Sequence, residues 1–507
     1  MALPKLARNT LHSSLAGAST AIGNFLGVVL VARILGPGGA GNVALAIWIV
    51  GTAVTLCDLG LPLTVARFVP ELTARGQDGE ARAFPSAFFA PLLATTLAGA
   101  LICAFLYLFH DPLIAVVNIL PFDNEPNEVW AALGALFALQ AIGNYGLAQL
   151  RGAQRFDLAA RLAMASFFVQ LAGVAVGALA FGVPGALVGY GGGSALLAAH
   201  ALARIGFKGA IAPDLRRRAW KFSMASWGVG LIAAIVWSRT ELAFLNHWRG
   251  PYEAGLYSVA NTLALVATQA PLLMTGGLLA HFSEQWAVGD RALLQQSLAS
   301  ALRFMAFLIF PACFGMAAVA PSVVPLVFGP AFADAVPATT VLVAAQAFAA
   351  LSTVTSALLF AVERNRFLVR IGAVGAVALI ACGFLVVPAF GLMGAVGARV
   401  VIQLSLVAAA FVYIARALEF SVSARSLALI ALAAFVCALV AREIVTLTPG
   451  PIGLVVAIVA GALVYFALVR LWRALPREDV TRLAAIFRKL PPWLSPIVAP
   501  LVQFLEH

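Results

Sequence analysis

The amino-acid sequence predicts an all-α polytopic membrane protein of about fourteen transmembrane helices, and three observations carry that prediction. The first is composition. Of 507 residues, 62% are hydrophobic and 10% charged, against about 25% charged in ordinary soluble proteins, and the mean hydropathy is +0.99. A soluble fold must present a polar skin and cannot hide this much apolar surface. The second is pattern: long apolar runs alternate with short charged or Gly/Pro-rich breaks, as expected of helices that cross a bilayer. The third is repetition, since "GPGGAGNVALA" (36–46) returns as "GPYEAGLYSVA" (250–260).

Taken in order, the first apolar run, 11–35, follows Lys5 and Arg8. It exceeds the ~7–15 apolar residues of a secretory signal, so it reads as a retained span. A Gly-Pro turn leads into the second, 42–65. Spans 84–109 and 129–150 flank the loop "HDPLIAVVNILPFDNEPNE", and 161–181 and 185–205 flank "FGVPGALVG". A basic linker, 208–221, precedes span 222–245, and the second Gly-Pro turn precedes 255–281. Then come 299–327, 337–361, the pair 368–389 and 392–415 around "FGLMGAVG", and finally 426–446 and 451–471. Glycine and proline inside several spans are tolerable where neighbouring helices re-satisfy the backbone. In the tail 472–507, "DVTRLAAIFRKL" (479–490) places Val480, Leu483, Ala484, Phe487 and Leu490 at helical spacing. It is expected either to lie in the cytoplasmic interface or to pack on cytoplasmic loops.

With the N-terminus inside and spans alternating, the 32 Lys and Arg fall on the inside except Arg33, Arg239, Arg249, Arg399 and Arg442. The acidic loop 110–128 has neither and falls outside. This is the positive-inside bias, and it explains the net charge of +11 without a nucleic-acid partner. Both termini are expected on the inside. Cys57, Cys103, Cys313, Cys382 and Cys437 all lie in apolar runs, without the spacing of a metal site or a disulfide framework. No metal or cofactor is expected.

The repeat extends beyond the Gly-Pro turns. At the same offset of 214 residues, "ARF" (66–68) falls on "AHF" (280–282). "RF" (155–156) falls on "RF" (366–367), and "FGVPGALVG" (181–189) on "FGLMGAVG" (390–397), at slightly smaller offsets. Four matches in order argue for a duplicated unit of six spans. An even number keeps both copies in one orientation, giving parallel repeats about an axis along the membrane normal. The expected organisation is an N-lobe (1–207), the linker (208–221), a C-lobe (222–415), two extra helices (416–471) and the tail. Two facing bundles suggest alternating access to a site between them.

Charges inside spans are costly and mark function by default. Arg239 and Glu241 lie in "VWSRTELAF" of span seven, two residues apart and so on nearly opposite faces of a continuous helix. Arg239 is a candidate to grip a phosphate; the competing role is a structural pair with a carboxylate on another helix. Arg399, in "GAVGARVVIQL", is a second candidate, with snorkelling to the outer interface as its alternative. Arg33 sits close to the outer interface, where anchoring or a helix-dipole contact is favoured. Asp58 and Glu241 are candidates for ion coupling; an Arg pair is the alternative for Asp58. "GYGGGS" (189–194) lies within a span, so close helix packing explains it better than phosphate cradling. No P-loop, HExxH or GxSxG motif is present, and no catalysis is expected.

"VARILGPGGAG", "DLGLPLTVARFVPE", "GLYSVANTLA" and "FGLMGAVGA" together resemble the bacterial polysaccharide biosynthesis flippases of the multidrug/oligosaccharidyl-lipid/polysaccharide exporter superfamily. The resemblance implies translocation of undecaprenyl-pyrophosphate-linked oligosaccharide from the inner to the outer leaflet. Its implied partners are membrane lipids and the polymerase and export components of a polysaccharide assembly system. Alternatives are a lipid II flippase, a cation-coupled drug exporter of the same superfamily and, from another class, a membrane polymerase or ligase.

Overall fold

The computed structural model describes residues 2–117, 121–122, 125–204, 211–420, 424–476 and 478–481. Among them the chain is helical, without strands. The helices are α1 (Ala2–Cys57), α2 (Leu61–Ala74), α3 (Asp78–Val117), α4 (Glu128–Gly152), α5 (Phe156–Arg204), α6 (Pro213–Trp237), α7 (Glu241–Arg249) and α8 (Pro251–Leu273). They continue with α9 (Leu278–Val288), α10 (Arg291–Phe328), α11 (Val336–Ala349), α12 (Ser352–Ala361), α13 (Asn365–Leu385), α14 (Val387–Ala417), α15 (Ala424–Leu447) and α16 (Pro451–Leu471).

Among the described residues ten stretches are long and apolar enough to cross a membrane, fewer than the fourteen expected. Two of the ten, Gly17–Cys57 and Phe156–Arg204, run 41 and 49 residues, where one crossing takes about 20. Each is interrupted by a glycine with non-helical angles, Gly36 and Gly182. Expected spans seven and eight are not among the ten. The first is broken between α6 and α7 at Ser238–Thr240, and the second passes through a 3₁₀ turn at Met274–Gly277.

Turns of two kinds recur along the chain. In the first kind a glycine takes positive φ with extended ψ: Gly36 (68°, −173°), Gly250 (83°, 176°), Gly329 (107°, 160°) and Gly450 (118°, 178°). Proline follows each of them, pre-set for the first turn of the next helix. Gly182 (63°, −136°) and Gly391 (55°, −136°) are close variants. A side chain at such angles meets a steric barrier that only glycine escapes. In the second kind the helix closes on a left-handed residue: Gly76, Gln154, Glu363 or Arg473. The next amide reaches back five residues: Gln77 to Leu72, Arg155 to Leu150, Arg364 to Leu359 and Ala474 to Val469, at 2.8–3.0 Å. These are Schellman closures, which satisfy the last carbonyls of the helix.

The duplication read from the sequence is visible in these angles. Gly36 and Gly250 occupy one offset of the repeat, Gly182 and Gly391 the other, and each pair shares its conformation. The two Gly-Pro corners also meet. A methyl group on Gly41 would overlap the carbonyl of Pro251, and one on Gly255 would overlap the carbonyl of Pro37. Both contacts join equivalent positions of the motif GPxxAG, so they are reciprocal.

The chain divides into two compact units, Met1–Ser258 with Leu379–Ala395, and Val259–Ala378 with Val396–His507. In the first, the core joins Phe68, Phe84, Phe88, Phe89 and Tyr145. Phe68 and Phe84 stack at 5.6 Å, and the Tyr145 hydroxyl donates to the Pro85 carbonyl at 2.6 Å. The α5 hairpin folds on itself at Gly182. Gly173 and Gly177 lie directly against the backbone of Gly189 and Gly185, and Gln170 packs on Gly193. The glycines of "GYGGGS" thus serve helix packing. In the second unit α10, α15 and α16 pack together, with the Tyr465 hydroxyl donating to Phe307 O at 2.8 Å. Beyond α16, Asp479 is buried and accepts from Arg303 Nε and Ser300 Oγ, both at 2.6 Å. The tail therefore begins by packing on α10; the rest of its amphipathic segment, 482–490, lies outside the described residues.

Candidate functional site

Two helix interruptions in the first unit lie on neighbouring helices. One lies between α1 and α2, the other between α6 and α7. An interruption frees backbone groups that lipid cannot satisfy, so it persists only where protein or water does so. At the first, Asp58 Oδ1 accepts the Gly60 N–H at 2.8 Å, an Asx turn. Leu59 and Gly60 take positive φ (50° and 70°). From α6, Ser223 Oγ donates to Leu59 O at 2.7 Å, and Trp227 Nε1 donates to Thr55 O at 3.0 Å. A Cβ on Gly60 would overlap Ser223 O, so the glycine also permits the approach of α6.

The second interruption mirrors this. Trp48 Nε1 of α1 donates to Ser238 Oγ at 3.2 Å, and Ser238 Oγ is 3.2 Å from Thr240 Oγ1. The pairings 48 with 238 and 55 with 227 show that α1 and α6 run antiparallel. Each helix contributes a tryptophan to the other's break.

This geometry places the expected site residues. Arg239 stands in the α6–α7 interruption; no helix passes through 238–240, so it and Glu241 do not lie on opposite faces of one continuous helix. Glu241 is 2% exposed, in the first turn of α7, where a carboxylate is favoured by the helix dipole. Asp58 is occupied by the Asx turn, and among the described residues no arginine forms an ion pair with it. Arg33 is exposed, three residues before Gly36. Arg399 belongs to the second unit and is 7% exposed, as is Gln403 one turn later. That burial argues against snorkelling. Arg249, one of the cations off the inside, has a structural task. Its Nη2 donates to Ala389 O at 3.1 Å, while Glu253 accepts the Leu392 N–H at 2.6 Å, and the two hold the Gly391 turn.

Sequence reasoning missed the two tryptophans, because nothing in their spacing distinguishes them from other apolar residues. It also missed the Asx turn at Asp58, although Asp-Leu-Gly is a recognisable signal for one. Gln170 Nε2 donates to Asn24 Oδ1 at 3.2 Å and so links α5 to α1.

With ten membrane-length apolar stretches among its described residues, duplicated corners and interrupted helices, the chain is a multi-pass membrane protein. Residues 6–279, more than half of the chain, match the family described as polysaccharide biosynthesis protein, and the chain belongs to that family. Its fold is similar to that of the lipid II flippase MurJ in an inward closed conformation, with a TM-score of 0.70 at 14% identity over 90% of this chain and 98% of that one. It is also similar to an inward-facing MATE-family multidrug resistance transporter of the MOP superfamily. There the TM-score is 0.67 at 14% identity, over 78% of this chain and 93% of that one. No curated protein matches the chain significantly.

Proposed function

We propose that the chain translocates undecaprenyl-pyrophosphate-linked oligosaccharide across the bacterial inner membrane for polysaccharide assembly, by alternating access through about fourteen spans. Family membership supports the polysaccharide context. The observation that carries the substrate class is that cationic side chains occupy positions where a membrane protein rarely places them. Arg239 stands in a helix interruption and Arg399 is buried. A guanidinium offers a planar fork of donors that matches phosphate oxygens, so each of these arginines suits an anionic, phosphate-bearing substrate. A carrier for cationic drugs would instead need carboxylates there. Asp58 is a weak candidate for coupling, because its carboxylate already closes a turn. Glu241 is the better one.

Arg239→Ala and Arg399→Ala are each expected to lower export of lipid-linked oligosaccharide about tenfold or more at unchanged protein level, the scale of one lost charge-assisted contact. Glycan at the cell surface and lipid-linked intermediate accumulating inside report the effect. Wild-type export in both variants refutes the anionic-substrate reading. Failure to restore polysaccharide in a flippase-deficient strain, with rescue of cell-wall synthesis instead, replaces the oligosaccharide by lipid II.

A further inference from the structure

The α2–α6 edge of the first unit carries a cation cluster that the proposed transport site does not use. Leu63, Arg67, Glu71 and Arg75 follow one another at four-residue spacing, so they form one stripe along α2. Arg67 is exposed, and its guanidinium lies 4.2 Å from the centre of the Phe222 ring and 5.4 Å from that of Phe68. Arg218 of α6 lies over the same Phe68 ring at 5.0 Å. Glu71 accepts from both Arg75 and Arg218 at 2.8 Å. One carboxylate therefore serves two arginines, and Arg67 makes no ion pair among the described residues. Arg216, Arg217 and Lys221 stand exposed nearby on α6, with Asp214, Asp78 and Glu80 as the nearest further acids in sequence. Aromatic faces hold Arg67 and Arg218 in place without neutralising them.

The second copy of the repeat serves as an internal control. At the offset of 214 residues, Arg67 becomes His281, Phe68 becomes Phe282, Glu71 becomes Gln285 and Arg75 becomes Gly289. The buried phenylalanine persists, so the packing position is kept. The polar positions there form hydrogen bonds without an arginine or a carboxylate: Gln285 Nε2 lies 3.1 Å from His281 Nε2 and 2.8 Å from Ser297 Oγ. The fold therefore does not need charges at these positions, and the charges of the first copy require another reason. Leu63, one turn before Arg67 on the same stripe, is 56% exposed. An exposed apolar side chain beside an under-neutralised arginine pair is complementary to an amphiphile with an anionic head.

We infer that Arg67 and Arg218, on their Phe222–Phe68 platform, bind the phosphate group of a membrane lipid whose chain runs past Leu63. The inference concerns binding alone and stands whether or not the transport reading does.

Native mass spectrometry of the purified full-length protein tests it with phosphatidylglycerol and undecaprenyl pyrophosphate as probes, and phosphatidylcholine as the zwitterionic reference. Arg67→Gln combined with Arg218→Gln is expected to weaken anionic-lipid binding about tenfold, while Arg161→Gln, an exposed arginine on α5, leaves it unchanged. Glu71→Gln installs the residue of the other copy and is expected to strengthen binding, an opposite change that misfolding cannot produce. Loss for both lipids assigns a general anionic-lipid site. Loss for undecaprenyl pyrophosphate alone assigns the substrate's carrier, and loss for phosphatidylglycerol alone a resident lipid. Unchanged binding of both lipids in the double variant, or an equal loss in Arg161→Gln, overturns the inference.

Discussion

The hairpins at Gly182 and Gly391 share the same turn and are held together by different means. Their φ/ψ angles, (63°, −136°) and (55°, −136°), differ by 8° in φ alone. In the first, Gly177 faces Gly185 and Gly173 faces Gly189, so the two helices touch backbone to backbone. In the second, the equivalents of Gly177 and Gly189 are Val386 and Ala398. A Cβ on Gly394 would sit 2.9 Å from Val386 O and 3.3 Å from its side chain. There the Gly391 turn is instead clamped from outside, by Arg249 and Glu253 of the neighbouring Gly-Pro corner. The matching residues of the first copy are Leu35 and Gly39, which cannot act this way. Duplication thus preserved a backbone conformation that only glycine adopts easily, while its support moved from small-residue packing to a pair of charges.

The largest effect comes from attacking the packing of the first hairpin. Gly177→Leu forces a side chain into the backbone of Gly185, which cannot yield without opening the hairpin. More than about 3 kcal/mol of destabilisation is expected, read as loss of monodisperse protein in size-exclusion chromatography. The reciprocal change, Val386→Gly in the second hairpin, is expected to cost only about 1 kcal/mol, because that support lies elsewhere. Similar losses in both variants would mean that the two hairpins rest on the same packing.

The clamp is the next target. Glu253→Gln keeps the shape but removes the charge from the 2.6 Å hydrogen bond to the Leu392 amide. A hydrogen bond to a charged group contributes about 1.5–3 kcal/mol, of which the amide oxygen retains part, so a loss of about 1 kcal/mol is expected. It should appear as a lowered midpoint of thermal unfolding and as faster hydrogen exchange confined to the 389–394 turn. Faster exchange at the Gly182 turn in the same variant would couple the hairpins and dissolve the contrast between them.

How much of this was legible in the sequence depends on what kind of signal each feature leaves. Gly-Pro corners are legible because few residues tolerate their angles, so the same letters recur wherever the geometry does. That is why GPxxAG and FGxxGA exposed the duplication. "GYGGGS" was legible as packing because glycines at helical spacing leave a flat surface. The interruption at Ser238–Thr240 was not legible: Ser-Arg-Thr contains neither glycine nor proline, and the break is sustained by Trp48, 190 residues away. The span count was only partly legible for the same reason, since helices broken by tertiary contacts no longer look like single apolar runs. Arg249 was recognised as an anomaly of the charge pattern, but its partners at 389 and 392 became neighbours only through the fold.

The smallest expected effect tests why the two kinds of turn tolerate different residues. Gln154 and Glu363 hold φ of 54° and 58° at the ends of α4 and α12, 209 residues apart, the same offset that relates Gly182 to Gly391. A non-glycine residue in the left-handed region gives up about 1 kcal/mol, and the Schellman hydrogen bonds offset it: Arg155 N–H to Leu150 O at 2.9 Å, Arg364 N–H to Leu359 O at 2.8 Å. Glycine relieves that strain but has more freedom to lose on folding. Gln154→Gly and Glu363→Gly should therefore each stabilise by only a few tenths of a kcal/mol, up to about 1, seen as a small rise in the unfolding midpoint. Gly182→Gln, which places a side chain at extended ψ with positive φ, should lower the midpoint by several times that amount. If Gln154→Gly were destabilising instead, the Gln154 side chain would itself be holding the turn. The tolerance of this turn type would then owe nothing to its backbone geometry.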